Sequence, residues 1–320
     1  MGGIISLKQM QKKELAEILQ RIDSDQNNNI SLKGKYLGCA FYQPSTRTRL
    51  SFELAMKSLG GDVVGFSDMK TSRCEDNYFN ETLKDFSQVM EAMVDVLVVR
   101  HPEDTEIDQM SSYVSIPIVN AGGGLTEHPV QAIQDIWLMN HKKSLENTVV
   151  GFLGDLSRNH RSIIYGLKHF PINKILFKMA EGCRPPQEIE AFLSENRIDF
   201  DVSNDIMDFL AESDHINSFC PTLSGLETRY EGKPSQFKRH KDCIIDSKKY
   251  RESGSEAYIL NAGPRTYEVH TDMDTNPKFL FIEQVKAGLK AKRAVLNHVI
   301  DKYNHKSNLI DNLNKNTCVA

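Results

Sequence analysis

The segment that decides the fold runs KYLGCAFY (residues 35–42), QPST (43–46), RTRLSFELAMKSLG (47–60) and DVVGF (62–66). A short apolar run, a helical period and a second apolar run read in turn as strand, helix and strand. The alternation continues with a helix-like ETLKDFSQVMEAM (81–93), then VDVLVVR (94–100) and SIPIVNAG (115–122). Strands alternating with helices predict a parallel sheet covered on both faces. A long helix is predicted from His128-Pro129, HPVQAIQDIWLMNHKK, after which TVVGFLGDL (148–156) starts a second series. That series holds KILFKMA (174–180), a helix near PPQEIEAFLSENR (185–197), DHINSF (214–219) and AYILNAG (257–263). An amphipathic helix opens the chain over residues 7–21, with Leu7, Met10, Leu15, Ile18 and Leu19 at near-helical spacing. Another closes it, and the polar residues 304–320 read as a loosely held tail.

The predicted fold is therefore α/β, with two doubly wound domains that each hold a central parallel sheet. The first covers residues 1–135 and the second 136–281, and the C-terminal helix at about 282–303 returns to the first. Composition agrees: 320 residues, 40% hydrophobic, 8% aromatic and a net charge of −4 can bury a core and exclude a fibre, a disordered tail protein or a disulfide miniprotein. Near-cancelling charge argues against a bulk grip on nucleic acid. Cys39, Cys74, Cys183, Cys220, Cys243 and Cys318 are scattered without a C-x-x-C pair, which reads as reduced thiols in a cytoplasmic protein. The N-terminus lacks the pattern of a signal peptide and no apolar run approaches the length of a membrane span, so no membrane role is expected.

The chemistry gathers in FYQPSTRTRLSFE (41–53), between a predicted strand and helix. A helix N-terminus with Ser45, Thr46 and Thr48, and with Arg47 and Arg49 beside it, suits a phosphate dianion. The same residues also allow a well-capped helix with solvated arginines. Two further strand ends, VVRHPE (98–103) and NAGGGLTEHPVQ (120–131), carry Arg100, His128 and Gln131. In an open parallel sheet these loops converge beyond the carboxyl ends of the strands, where ligands bind.

PSTRTRLSFE, GGDVVGFSD, VVRHPE, PIVNAGGG with HPVQ, GDL, and GPR followed by EV, DMD and P keep their order and spacing over about residues 35–300. Together they resemble the aspartate and ornithine carbamoyltransferase family, closest to its aspartate branch. The resemblance implies transfer of the carbamoyl group from carbamoyl phosphate to the amine of an amino acid, in a cleft between the domains of a homotrimer whose subunits share active sites. It carries the phosphate grip onto Ser45, Thr46, Arg47 and Thr48. It makes Thr48, Arg100 and His128 the catalytic donors to the carbamoyl oxygen, and Gln131 the holder of the carbamoyl amide. No metal or organic cofactor is implied, and the departing phosphate can itself accept the proton of the attacking amine.

The acceptor half departs from the family pattern. The family's K-G-E-T loop reads here as Met69 to Thr82, with Asn80 before Glu81-Thr82 and no lysine at the motif position; Lys70 or Arg73 could supply a cation. Asn261-Ala262-Gly263-Pro264-Arg265 replaces H-P-L-P-R, which makes Asn261 and Gly263 acceptor-site candidates. Arg161 matches the family's carboxylate-binding arginine only after a one-residue insertion, with Arg158 as a rival. A gap-free reading of the T-R-x-Q segment places Cys220 or Pro221 there, whereas Thr228-Arg229-Tyr230-Glu231 matches the letters after an insertion, so Arg229 is a further candidate. Three functions remain open on these residues. They are aspartate carbamoylation in pyrimidine synthesis, carbamoyl transfer to a different amine, and a non-catalytic homologue that binds carbamoyl phosphate or a partner protein.

Overall fold

The computed structural model describes residues 3–24, 31–67, 81–220 and 241–317. The chain forms two compact units, Met1–Val130 with Gly288–Ala320, and Gln131–Ala287. Each has a parallel sheet at its centre.

In the first unit β1 (Tyr36–Phe41), β2 (Asp62–Phe66), β3 (Val96–His101) and β4 (Ile118–Gly123) lie in the order β2-β1-β3-β4. The central strands are runs of Val, Leu, Ile and Ala because both of their faces are buried; only edge strand β2 is largely exposed. The helices in sequence are α1 (Lys12–Asp23), α2 (Thr46–Ser58), α3 (Leu83–Met93), α4 (Glu106–Tyr113) and α5 (Pro129–Lys142), which runs on into the second unit. A core of Ala40, Tyr42, Phe86, Met90, Leu97, Val99, Ile107, Met110 and Ile118 fills the space between sheet and helices.

The second unit orders β5 (Val149–Leu153), β6 (Lys174–Lys178), β7 (Phe200–Val202), β8 (His215–Ser218) and β9 (Tyr258–Asn261) as β7-β6-β5-β8-β9, again all parallel. Its helices are α6 (Arg158–Leu167), α7 (Gln187–Glu195), α8 (Ile206–Glu212) and α9 (Ser247–Glu252). Leu153, Leu176, Phe209, Ile216, Ile245, Ile259 and Met273 are among its core residues.

The last helix, α10 (Phe281–Thr317), begins in the second unit and completes the first from Gly288 onward. There Lys292 lies over the Phe52 ring of α2 at 5.5 Å, and Arg21 of α1 pairs with Asp301 at 2.9 Å.

Two boundaries differ from the sequence reading. Helix α1 begins at Lys12 rather than near residue 7, because the Leu7 N–H is held by the Glu127 carboxylate at 2.8 Å and Ser6 Oγ also donates to it. Helix α10 runs past residue 303 to Thr317, through a stretch read as a loose tail; residues 304–317 contain no Gly or Pro to stop it. Among the described residues no helix is long and apolar enough to cross a membrane.

Candidate active site

In the first sheet β1 and β3 are neighbours, and the chain leaves β1 for β2 on one side while β3 leads to β4 on the other. The space beyond their carboxyl ends is a topological switch point, where parallel sheets bind ligands. The turn after β1 places Ser45 at the N-cap of α2 in an extended conformation, φ −157°, and its side chain caps no first-turn N–H among the described residues. The positive dipole end of α2 thus has no cap from the Ser45 side chain among the described residues. Ser45 is half-buried, Thr46 and Arg47 are exposed, and Thr48 is only 8% exposed. The turn thus graduates from a wet guanidinium to a dry hydroxyl.

Arg100 stands in register with Phe41, and the Tyr42 N–H donates to the Arg100 carbonyl at 2.9 Å. Its side chain, 4% exposed, donates from Nη1 to the Ala121 carbonyl of β4 at 3.1 Å. The neighbouring His101 accepts the Glu103 N–H on Nδ1 at 3.1 Å and meets Tyr42 edge-on at 4.7 Å. Burial holds its pKa below the ordinary histidine value despite Glu106 and Glu103, so the imidazole adds no charge beside Arg100 at neutral pH.

The loop after β4 is locked to the same edge. Its Gly124 N–H donates to the His101 carbonyl at 3.0 Å, and Asp104 Oδ1 accepts from the Leu125 N–H, the Thr126 N–H and Thr126 Oγ1 at 3.0, 3.1 and 2.7 Å. Gly124 has φ +42°, and a Cβ there would lie 2.0 Å from Asp104 Oδ1, so only glycine permits this clasp. Glu127, held by the N-terminal segment as described, immediately precedes His128. With Pro129 opening α5 on its other side, His128 is fixed in place at 8% exposure. Gln131 follows three residues on, half-buried, with Nε2 donating to Asp135 Oδ1 at 3.2 Å.

The structure therefore brings Ser45–Thr48, Arg100 and His128 to one sheet edge of the first unit. The acceptor candidates belong to the second unit and are more fully engaged. Ser157 caps α6 through the His160 N–H at 3.3 Å, and on that helix Arg161, its side chain 14% exposed, pairs with Glu188 at 2.5 Å. Its rival Arg158 is 3% exposed. Asn261 ends β9 with its side chain committed: Nδ2 donates to Ser218 Oγ at 3.0 Å and Glu268 Oε1 at 2.9 Å, and Oδ1 accepts the Gly263 N–H at 2.8 Å. Gly263 takes φ +60°. Arg265 is turned away to Asp274 and the Phe279 ring. Arg229, residues 69–80 with Lys70 and Arg73, and Pro221 lie outside the described residues.

Sequence reasoning passed over Asp104 and Glu127, which tie down the strand-end loop and the N-terminal segment, and Asp135, which accepts from side chains of α5, α6 and α10. For Asp135 the signal was available, since it sits four residues after Gln131 on one helix face. It also missed Lys178, 2% exposed at the carboxyl end of β6, which pairs with Asp242 at 3.2 Å.

A model of the aspartate/ornithine carbamoyltransferase carbamoyl-P binding domain matches residues 3–141, and a model of the Asp/Orn binding domain matches residues 146–299. The chain belongs to the aspartate/ornithine carbamoyltransferase family. The aspartate carbamoyltransferase catalytic subunit of Finegoldia magna is 31% identical over 288 residues, 88% of this chain and 90% of that protein. That of Methanocaldococcus jannaschii is 30% identical over 310 residues, 94% and 98% of the two chains. The crystal structure of the catalytic subunit of M. jannaschii aspartate transcarbamoylase superposes with a TM-score of 0.82 at 30% identity, covering 94% of this chain and 99% of that one. An aspartate transcarbamoylase of Trypanosoma cruzi in complex with carbamoyl phosphate shares the fold, with a TM-score of 0.80 at 24% identity over 92% and 95%. The two parallel-sheet units are thus the two domains of a carbamoyltransferase.

Proposed function

We propose that this chain transfers the carbamoyl group of carbamoyl phosphate to the amine of aspartate, giving N-carbamoyl-aspartate and phosphate for pyrimidine synthesis in the cytoplasm. The observation that carries the reading is the backbone lacing of three strand-end loops. Phe41 is in register with Arg100, and the His101 carbonyl accepts from Gly124, so the Ser45 turn, Arg100 and the His128 loop share one edge.

In this reading the open first turn of α2, with Ser45, Thr46, Arg47 and Thr48, holds the phosphate. Thr48, Arg100 and His128 donate to the carbamoyl oxygen as the amine adds, and the three donors are worth most in a site as dry as theirs. Collapse of the tetrahedral intermediate expels phosphate, which takes the amine proton. Gln131 accepts from the carbamoyl NH2. An acceptor carboxylate displaces the exposed Glu188 from Arg161, while Arg229, Asn261 and Gly263 complete the acceptor site. The chain works as a homotrimer, a reading supported by exposed apolar side chains in the first unit: Leu50 and Leu54 on α2, and Val64 on edge strand β2.

The test is product identification after incubating the chain with carbamoyl phosphate and a panel of amines: aspartate, ornithine, acylated ornithines and small diamines. The expected product is N-carbamoyl-aspartate. Turnover of another amine with none of aspartate would keep the donor half and overturn the acceptor.

A further inference from the structure

One carboxylate of the second unit plays no part in the chemistry just described. Asp135 lies one turn along α5 from Gln131 and has no exposed surface. Its Oδ1 accepts from Nε2 of Gln131, Gln134 and Gln284 at 3.2, 3.1 and 2.9 Å, and its Oδ2 accepts from Asn159 Nδ2 at 2.8 Å. Gln284 Oε1 in turn accepts the Asn261 N–H at 2.8 Å.

Both carboxylate oxygens of Asp135 accept here, so each of these amides turns its NH2 toward Asp135 and its carbonyl away. An isolated glutamine amide has no such preference, because its two ends are nearly the same shape. The buried carboxylate therefore sets the polarity of every amide around it.

We infer that Asp135 is a positioning residue. It presents the carbonyl end of Gln131 to the NH2 of a bound carbamoyl group and, through Gln284, holds the Asn261–Gly263 turn. The inference rests on the proposed carbamoyl transfer and adds to it a source of donor selectivity. A carbonyl oxygen matches the N–H of carbamoyl phosphate and has nothing to accept from the methyl group of acetyl phosphate or from inorganic phosphate. With asparagine at position 135 the partner both donates and accepts. Gln131 can then flip and set its own NH2 against the carbamoyl NH2.

The experiment is equilibrium binding of carbamoyl phosphate, acetyl phosphate and inorganic phosphate to the full chain, for the wild type and Asp135→Asn, with thermal unfolding alongside. The expected result is about a tenfold loss of affinity for carbamoyl phosphate, the scale of one well-placed hydrogen bond, with the other two ligands within about twofold of wild type. An equal loss on all three ligands, or no loss on carbamoyl phosphate, overturns the inference.

Because Asp135→Asn sets a fifth NH2 donor among four amides and can prevent folding, Gln284→Met supplies an independent arm. It should raise the acceptor KM several-fold and leave carbamoyl phosphate binding intact; an unchanged acceptor KM overturns the link to the Asn261 turn. A wild-type chain that binds no carbamoyl phosphate would overturn the proposed function and this inference together. Wild-type binding that Asp135→Asn leaves unaltered would overturn only the positioning role.

Discussion

His215 ties the stability of the second unit to pH. It lies fully buried in β8, its Nε2 3.1 Å from the Lys143 carbonyl and its ring stacked on Tyr258 with centroids 6.1 Å apart. A carbonyl only accepts, so Nε2 carries the proton, and Nδ1 has no hydrogen-bond partner among the described residues. Protonation would bury a cation with an unmatched N–H. Burial pushes the pKa from 6.5 down to about 4, against the pull of the Lys143 carbonyl and Asp214. The unfolded chain takes up a proton near 6.5 and the native chain only near 4, so between those values the unfolded state binds more protons. Native stability therefore falls as pH drops through that window, and the loss is complete once both states are protonated. A gap from 6.5 to about 4 corresponds to about 3 kcal/mol, at about 1.4 kcal/mol per pH unit. The assay is denaturant unfolding at a series of pH values from about 7.5 to 4, comparing wild type with His215→Phe, which keeps a ring against Tyr258 and removes the titration. The wild-type advantage should shrink by about 3 kcal/mol across the series. Parallel curves, with a constant difference between the two proteins, would refute the reasoning.

Three further outcomes follow from the same geometry. Arg47→Ala, at an exposed position, should abolish binding of phosphate and carbamoyl phosphate in calorimetry while leaving the melting temperature unchanged; an unaltered dissociation constant would move the phosphate site elsewhere. His128→Ala should lower kcat by about a hundredfold or more with a much smaller change in donor binding, because its hydrogen bond strengthens only as the oxyanion forms, and equal turnover would remove it from the mechanism. Glu14 is held down to about 2 by its bond from His298 at 3.3 Å and by Lys302 at 2.6 Å. Its stabilisation is therefore present above 4.5 and lost as pH falls toward 2. Glu14→Gln should cost about 1 kcal/mol at pH 7 in this partly exposed cluster, and the two proteins should unfold alike near pH 2.

The fold was legible because its signal is coarse. Runs such as VLVVR and VVGFL bury both faces of a strand and leave little doubt about a parallel sheet. The placement of Ser45–Thr48, Arg100 and His128 follows from the same signal, since they lie in three short contiguous segments that strand order carries to one edge. Boundaries set by distant partners were not. Glu127 removes residues 7–11 from the first helix across more than a hundred residues of sequence, and no local pattern announces it. The acceptor half is hard to read for the same reason. Arg161 looks like a free cation in sequence, yet its partner Glu188 is supplied by another helix, and Asn261 is committed to Ser218 at the end of β8 and to Glu268 in the segment after β9. Polar side chains that serve the scaffold and those that serve a substrate have the same letters; only their partners tell them apart.

The most direct test of carbamoyl transfer to aspartate follows the bond itself. Carbamoyl phosphate labelled with carbon-13 at the carbonyl is mixed with nitrogen-15 aspartate and the chain, and the products are read by nuclear magnetic resonance. The account predicts a new carbonyl signal split by the attached nitrogen-15, growing in step with released phosphate, absent without the chain and strongly reduced with His128→Ala. Phosphate release with no carbon–nitrogen coupling, or no release above the uncatalysed rate, would contradict it.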